Sequence, residues 1–459
     1  MTTVTYADVT RDVLSSLERP KPAYFMVLIG FATALAIGIV SFAIQVDVGV
    51  GLSGISHPAG WGVYITNFVF WIGIGHAGTL ISAVLFLTRA PWRPAVYRAA
   101  EAMTVFAVMT AGLFPMIHLG RAWYAFWLIP YPNQRLLWVN FRSPLIWDVF
   151  AVSTYLTISI TFFIMGLIPD MASLRDNARG LRKLIYHVLA FAWNNSYQQW
   201  THYTRGYLLI AALATPLVFS VHSIVSWDFA MSLVPGWHTT IFAPYFVAGA
   251  IFSGLAMVMT IVIPMRVVFG WEKYITDHVL QSMGRMVLFT SFIVGYAYAS
   301  EAFIAYYSGN QFERGIFYFR AFGNPIDGSP FREAGELGFP QLTYYIMVFC
   351  NIIAPLPLWR WKIRNNAIAL FIISILINIG MWFERFNIVV SSLQRDFHPA
   401  NWGPYQFAPI EIAITVGSFG FFFTLFLLFA RAMPILAIAE VKEGLPPPMR
   451  NPGNHGDAQ

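Results

Sequence analysis

Charge is scarce in this sequence. Asp, Glu, Lys and Arg make up only 11% of its 459 residues, against about one quarter in a soluble domain. With 57% hydrophobic residues, the chain lacks the polar side chains needed to cover a water-exposed surface. This excludes a soluble enzyme, a disordered protein and a nucleic-acid binder. The net charge of +6 suits the loops of a membrane protein and requires no polyanionic partner.

Cysteine is almost absent. Cys350 stands alone in an apolar stretch, where it reads as a small buried hydrophobe. One thiol makes no internal disulfide, and it cannot hold an iron–sulfur cluster, which takes about four ligands. A cleavable signal peptide is not expected either. The apolar run 24–44 exceeds the ~7–15-residue core of such a peptide and reads as a first spanning helix. No metal motif, P-loop or glycine-rich dinucleotide turn is present. Within apolar stretches the only histidines are His76, His118 and His222, on three separate segments. The facing histidine pairs of a dihaem cytochrome b-type subunit are therefore not expected, and electrons would have to pass to another subunit.

What the chain has in abundance is long apolar runs. A spanning helix needs about 20 apolar residues, and ten such runs occur: 24–45, 61–87, 98–118, 144–168, 205–225, 241–265, 284–307, 341–358, 366–390 and 407–436. The expected fold is an all-α polytopic membrane protein. Alternate connections sort the basic residues unequally, twenty on the side of both termini and eight on the other. The smaller set is Arg121, Arg135, Arg142, Arg314, Arg320, Arg332, Arg385 and Arg395. Basic residues favour the cytoplasm, so both termini are expected there, with the chain in the inner membrane.

A faint repeat, Phe-x-x-Gly-x-x-x-x-Gly, joins Phe70/Gly73/Gly78 to Phe246/Gly249/Gly254. It suggests two four-helix bundles, 61–225 and 241–390, with helices 24–45 and 407–436 peripheral and 437–459 a cytoplasmic tail.

Ionisable residues inside spans are costly and therefore functional candidates. His118 ends the third span and Asp148 lies one turn into the fourth, both on the outer side. Their side chains are at similar depth on consecutive antiparallel helices. Such a pair serves either as a proton acceptor oriented by a carboxylate or as a structural hydrogen bond between helix ends. The aromatic and basic segment holding Arg121, Trp123 and Tyr124 is either an interfacial belt or the mouth of a pocket for a flat conjugated headgroup. Ser226-Trp227-Asp228 either completes that mouth or caps a helix. His222 marks the outer end of the same fifth span, and Asp170 closes the fourth at the cytoplasmic face. Glu301, Glu384, Arg385 and Glu411 form either a second polar cluster or structural ion pairs. His76, near mid-span, is either a proton relay or a packing residue.

Three pieces resemble the NrfD/PsrC family of membrane quinone-binding subunits: Phe70-Trp-Ile-Gly-Ile-Gly-His76-Ala-Gly78, Phe114-Pro-Met-Ile-His118-Leu-Gly-Arg121 and Ser143-Pro-Leu-Ile-Trp147-Asp148. The ten-span layout is most similar to the ActC-type subunit of alternative complex III. The resemblance implies quinol (menaquinol or ubiquinol) as substrate, with no haem or iron–sulfur cluster in this chain. His118 and Asp148 would be catalytic. Arg121, Trp123, Tyr124, Trp147, His222, Trp227 and Asp228 would bind quinol. His76, Asp170, Glu301, Glu384, Arg385 and Glu411 would carry protons. Implied partners are an iron–sulfur subunit on the periplasmic side, c-type cytochrome subunits and a second NrfD-like membrane subunit. The alternatives are the membrane anchor of a molybdenum-type (polysulfide/DMSO-like) reductase and a secondary transporter.

Overall fold

The computed structural model describes residues 4–18, 20–129, 141–323 and 339–445. Arg135, Arg332, Arg450 and His455, and the tail beyond Leu445, lie outside the described residues. Among the described residues, ten helices are long and apolar enough to cross a membrane. They are α1 (Pro22–Val48), α2 (Val63–Leu87), α3 (Tyr97–His118), α4 (Pro144–Asn177), α5 (Tyr197–Ala230), α6 (Phe242–Phe269), α7 (Asp277–Tyr307), α8 (Phe339–Trp359), α9 (Ala367–Ser391) and α10 (Pro409–Ala432). The described residues contain no strand.

Seven of the ten apolar runs fix their helices to within about four residues at each end. The exceptions are α7, which begins at Asp277, seven residues before its run, and α4 and α5, which each reach 34 residues, about 50 Å at 1.5 Å per residue. Polar turns prolong both helices past the hydrocarbon core, because capping rather than hydropathy ends a helix. Ser196, for instance, accepts the Gln199 N–H at the start of α5. Asp170 consequently sits inside α4 and does not close it.

Helices α2 and α6 are apolar on every side, the pattern of a helix buried all round. They occupy the centre of the molecule, with nearly all the side chains of their most apolar stretches buried. Helices α3, α4 and α5 pack around α2, and α7, α8 and α9 around α6 or one another. The α2/α6 crossing is close: a Cβ on Gly254 would lie 1.9 Å from the Ala77 Cβ. Gly78, its counterpart in the repeat, faces Ala100 and Thr104 of α3 instead. The two glycines thus admit different neighbours. A Gly254→Val variant should lose at least about 1–3 kcal/mol through overpacking, read as a lower unfolding temperature of the purified protein.

Helix α1 packs chiefly on α10, through backbone contacts that only small residues permit. A Cβ on Gly38 would lie 2.6 Å from the Gly417 Cα, and one on Gly420 2.4 Å from the Leu35 nitrogen. The described segments nearest the two ends of the chain meet on one face of the molecule, the terminal face. There the short helices Tyr6–Ser16 and Ile438–Glu443 pack together, and Arg431 donates to the Ser16 carbonyl.

Candidate functional site

At the face opposite the termini, three helix ends bring ionisable groups to the same depth. Proline at the first position of α4 presets the helical φ, which places Asp148 one turn in. Asp228 lies in the last turn of α5 and His118 is the last residue of α3. Gln45 of α1 anchors this end of α3, donating to the Ile117 carbonyl at 3.4 Å and accepting from the Tyr64 hydroxyl.

The carboxyl groups of Asp148 and Asp228 lie against each other, close enough to share a proton. The expected His118–Asp148 contact is not made: among the described residues, no hydrogen bond or ion pair joins them. The rotation of α4 and α5 about their axes points Asp148 at α5, a variable that span boundaries do not contain. His118 Nδ1, Asp148 Oδ1 and Asp228 Oδ1 are all buried with no hydrogen-bond partner among the described residues. Each such group costs roughly 1–3 kcal/mol unless something satisfies it. The site is therefore equipped to accept and donate protons at three points.

Around it, Trp147 and Trp227 meet edge to face with centroids 6.0 Å apart, and the Trp147 indole donates to the Phe141 carbonyl at 2.6 Å. Arg121, Trp123 and Tyr124 are exposed at the same end, the aromatic pair in a 3₁₀ segment over Ala122–Leu128. They lie on the surface at this end, outside the buried cluster.

His222 belongs elsewhere. It lies two turns deeper in α5 than Asp228 and meets His76 of α2, Nδ1 to Nδ1 at 2.7 Å, both side chains fully buried. The two histidines read from the sequence as separate are thus a pair, and each Nε2 is without a partner among the described residues. Below them, towards the terminal face, polar groups continue down the first four helices of the core. The Thr79 hydroxyl donates to Ser159 at 3.1 Å, and Tyr155 and Thr104 both donate to the Gly75 carbonyl, at 2.9 and 2.8 Å. Glu101 accepts from Ser82 at 2.7 Å and Tyr207 at 2.8 Å. Arg98 pairs with Asp170 at 3.0 Å and lies 3.9 Å from Glu101. Asp170 also accepts the Ala439 N–H at 3.0 Å, and Arg93 pairs with Glu440 at the terminal face.

Glu101, Arg98, Tyr155 and Tyr207 were not singled out from the sequence. A signal for them existed: His76/Thr79/Ser82 and Arg98/Glu101/Thr104 each recur every three residues, which aligns them on one helix face.

A second polar cluster lies among α6, α7, α8 and α9. Glu384 accepts from the Tyr298 hydroxyl and pairs with Arg385 at 3.0 Å, and Asn351 donates to Tyr298 at 2.8 Å. Glu301 pairs with Arg320 at 3.6 Å, and Arg320 donates to Ser392 at 2.7 Å. Arg385 lies over the Phe246 ring, 4.3 Å from its centroid, where glycine at 249 leaves it room. Both α8 and α9 contain a π-helical turn beside this cluster, Phe349–Ile353 and Asn387–Ser391, a distortion frequent at functional sites. Glu411 does not join it. It caps α10, accepting the Ala408 N–H at 3.3 Å and the Tyr405 hydroxyl at 2.7 Å, while Tyr405 accepts the Val63 N–H of α2. Burial and the adjacent Glu411 raise the Tyr405 phenol above its ordinary value, so it stays a donor.

An apolar cavity of about 500 Å³, lined by Phe70, Met257, Trp382 and Phe419 among others, opens between α2, α6, α9 and α10. It shares no residue with either polar cluster.

Residues 51–395 match the family described as "Polysulphide reductase, NrfD". The chain belongs to the NrfD family. Two relatives carry more specific names. One, from Halobacterium salinarum, is named as a putative membrane subunit of dimethyl sulfoxide reductase; it is 23% identical over 444 residues, 89% of this chain and 90% of the relative. The other, from Mesobacillus selenatarsenatis, is named as a subunit of selenate reductase; it is 22% identical over 276 residues, 58% of this chain and 61% of the relative. As an NrfD protein the chain is a multi-pass membrane subunit. The matched region covers α2 to α9 and with them the carboxyl pair, the histidine pair and the second polar cluster. It leaves out α1 and α10.

Proposed function

We propose that this NrfD-family chain is the quinol-oxidising membrane subunit of a respiratory oxidoreductase, with its site at the Asp148/Asp228 pair and His118. The observation that carries the reading is a buried carboxyl pair, each carboxyl with an unsatisfied buried atom, at the same end of the molecule as the buried, unpartnered Nδ1 of His118 and the Trp147–Trp227 ring contact. A quinol becomes a quinone by giving up two electrons and two protons. The electrons leave to an iron–sulfur subunit docked on this face. One proton goes to His118 and the other to the carboxyl pair, which already shares one because adjacent carboxylates resist joint ionisation and so ends with both carboxyls protonated. Arg121, Trp123, Tyr124, Trp147 and Trp227 shape the entrance for the flat headgroup.

From the carboxyl pair, protons have two onward routes. One runs through His222 and His76 to Glu101, Arg98 and Asp170, down to the terminal face, which the distribution of Lys and Arg assigns to the cytoplasm. The other runs from His222 towards Arg385, Glu384 and Glu301. Glu411, occupied in capping α10, serves neither.

Two complexes suit such a subunit. The names of the relatives favour a molybdenum-type reductase, whose membrane anchor draws electrons from quinol. The ten-span layout suits an alternative complex III-like assembly with c-type cytochromes and a second NrfD-like subunit. The proteins that co-purify separate them: a molybdenum protein in the first, haem c proteins in the second. The site itself is tested by His118→Ala, which should assemble normally and lose at least about tenfold to a hundredfold in quinol:acceptor turnover. Wild-type turnover would remove His118 from the site.

A further inference from the structure

On the terminal face, between α4 and α5, the helix Gly180–Leu189 lies outside every cluster described above. Its residues divide into three strips. Tyr186 turns into the protein, buried, and its hydroxyl donates to the Ala432 carbonyl at 2.9 Å. Leu181, Leu184 and Val188 fall on one edge at helical spacing and are 72%, 60% and 65% exposed. The helix and the residue before it add Arg179, Arg182 and Lys183, all exposed or half-buried.

None of these three cations pairs with a carboxylate among the described residues. Of the acids on neighbouring elements, Asp176 is engaged by Arg175, Glu440 by Arg93 and Asp170 by Arg98, and the exposed Glu443 forms no ion pair with any of the three cations among the described residues. Arg182 lies close enough to Arg431 for the two cations to repel; Arg182 borders the Tyr186 phenol and Arg431 lies over the Tyr24 ring. Like charges gathered without a counter-charge favour an anion. A strip of exposed leucine and valine beside them favours an acyl chain.

We infer that the Gly180–Leu189 helix is an interfacial docking site for an anionic phospholipid. Its apolar edge lies at the acyl boundary, and Arg179, Arg182 and Lys183 hold the phosphodiester, with Arg431 beside them. A basic amphipathic helix lying in the membrane plane has this chemistry, and each basic group near an anionic leaflet strengthens the association. A neutral lipid satisfies the apolar edge alone. An acidic protein segment satisfies the cations alone. Only an anionic lipid satisfies both.

The test uses the full chain in nanodiscs of phosphatidylcholine, alone or mixed with phosphatidylglycerol, with lipid retention read by native mass spectrometry after extraction. The wild type should retain phosphatidylglycerol selectively, and retention should fall as salt rises. Arg179→Gln, Arg182→Gln and Lys183→Gln should each weaken retention about fivefold. Arg182→Lys should hold it, and Leu184→Asn should weaken it without altering the charge. Equal retention of the two lipids by the wild type, or retention insensitive to salt, overturns the inference without recourse to any variant. So does a triple Gln variant that behaves as wild type. Binding of a soluble polyglutamate peptide as tight as that of phosphatidylglycerol would assign the face to an acidic protein instead.

Discussion

Asp148→Asn and Asp228→Asn should each slow quinol:acceptor turnover of the assembled complex by about 10²–10⁴-fold, while leaving the amount of complex unchanged. Asparagine keeps the size and much of the hydrogen bonding of aspartate but cannot take up a proton. Either change therefore abolishes the shared proton without emptying the space. The two carboxyls act as one unit, so the double variant should be no worse than the more damaging single variant, as groups acting together lose function non-additively. Steady-state turnover with a soluble quinol analogue checks this. Full additivity would mean that the two aspartates act independently, and unchanged turnover in both would place quinol chemistry elsewhere in the chain.

Arg98→Leu should be the most destabilising change near the terminal face. The Arg98 and Asp170 side chains are each 1% exposed and 3.0 Å apart, with Glu101 on the other side. Removing the cation leaves two buried carboxylates with no ion-pair partner among the described residues, and breaking a buried pair from one side costs about 3–5 kcal/mol. The yield of folded protein and its unfolding temperature should both fall sharply. Neutralising the remaining partners as well, in Arg98→Leu/Glu101→Gln/Asp170→Asn, should recover much of the loss, because no charge is then stranded. If the triple variant is as unstable as the single one, packing and not charge is what Arg98 contributes.

Spans were legible because hydropathy is a property of a segment. A run such as 366–390 declares its helix whatever surrounds it, and α9 follows it closely, over Ala367–Ser391. Pairing was less legible because it depends on how each helix is turned. Asp148 and His118 sit at matching depths, yet Asp148 points at Asp228 on the following helix, α5. His76 and His222 are far apart in sequence and read as isolated, yet the close crossings around α2 bring them into contact. Glu411 shows a different limit. Its position at the start of an apolar run looks the same for a capping carboxylate as for a proton carrier, and only its bonds to Ala408 and Tyr405 distinguish the two. The spacing of polar residues along α2 and α3 was the readable trace of the inner column, since one helix face repeats every three to four residues.

The pairing of α1 with α10 bears on how the protein is made. A ribosome delivers α1 first, and its main partner is synthesised more than 350 residues later. Until then α1 waits in the bilayer, holding to the rest of the chain mainly through its connection to α2. Seating of the last helix against Gly38 then becomes the closing step of biogenesis, and a chain truncated before α10 would leave its first segment adrift in lipid for quality-control proteases to find.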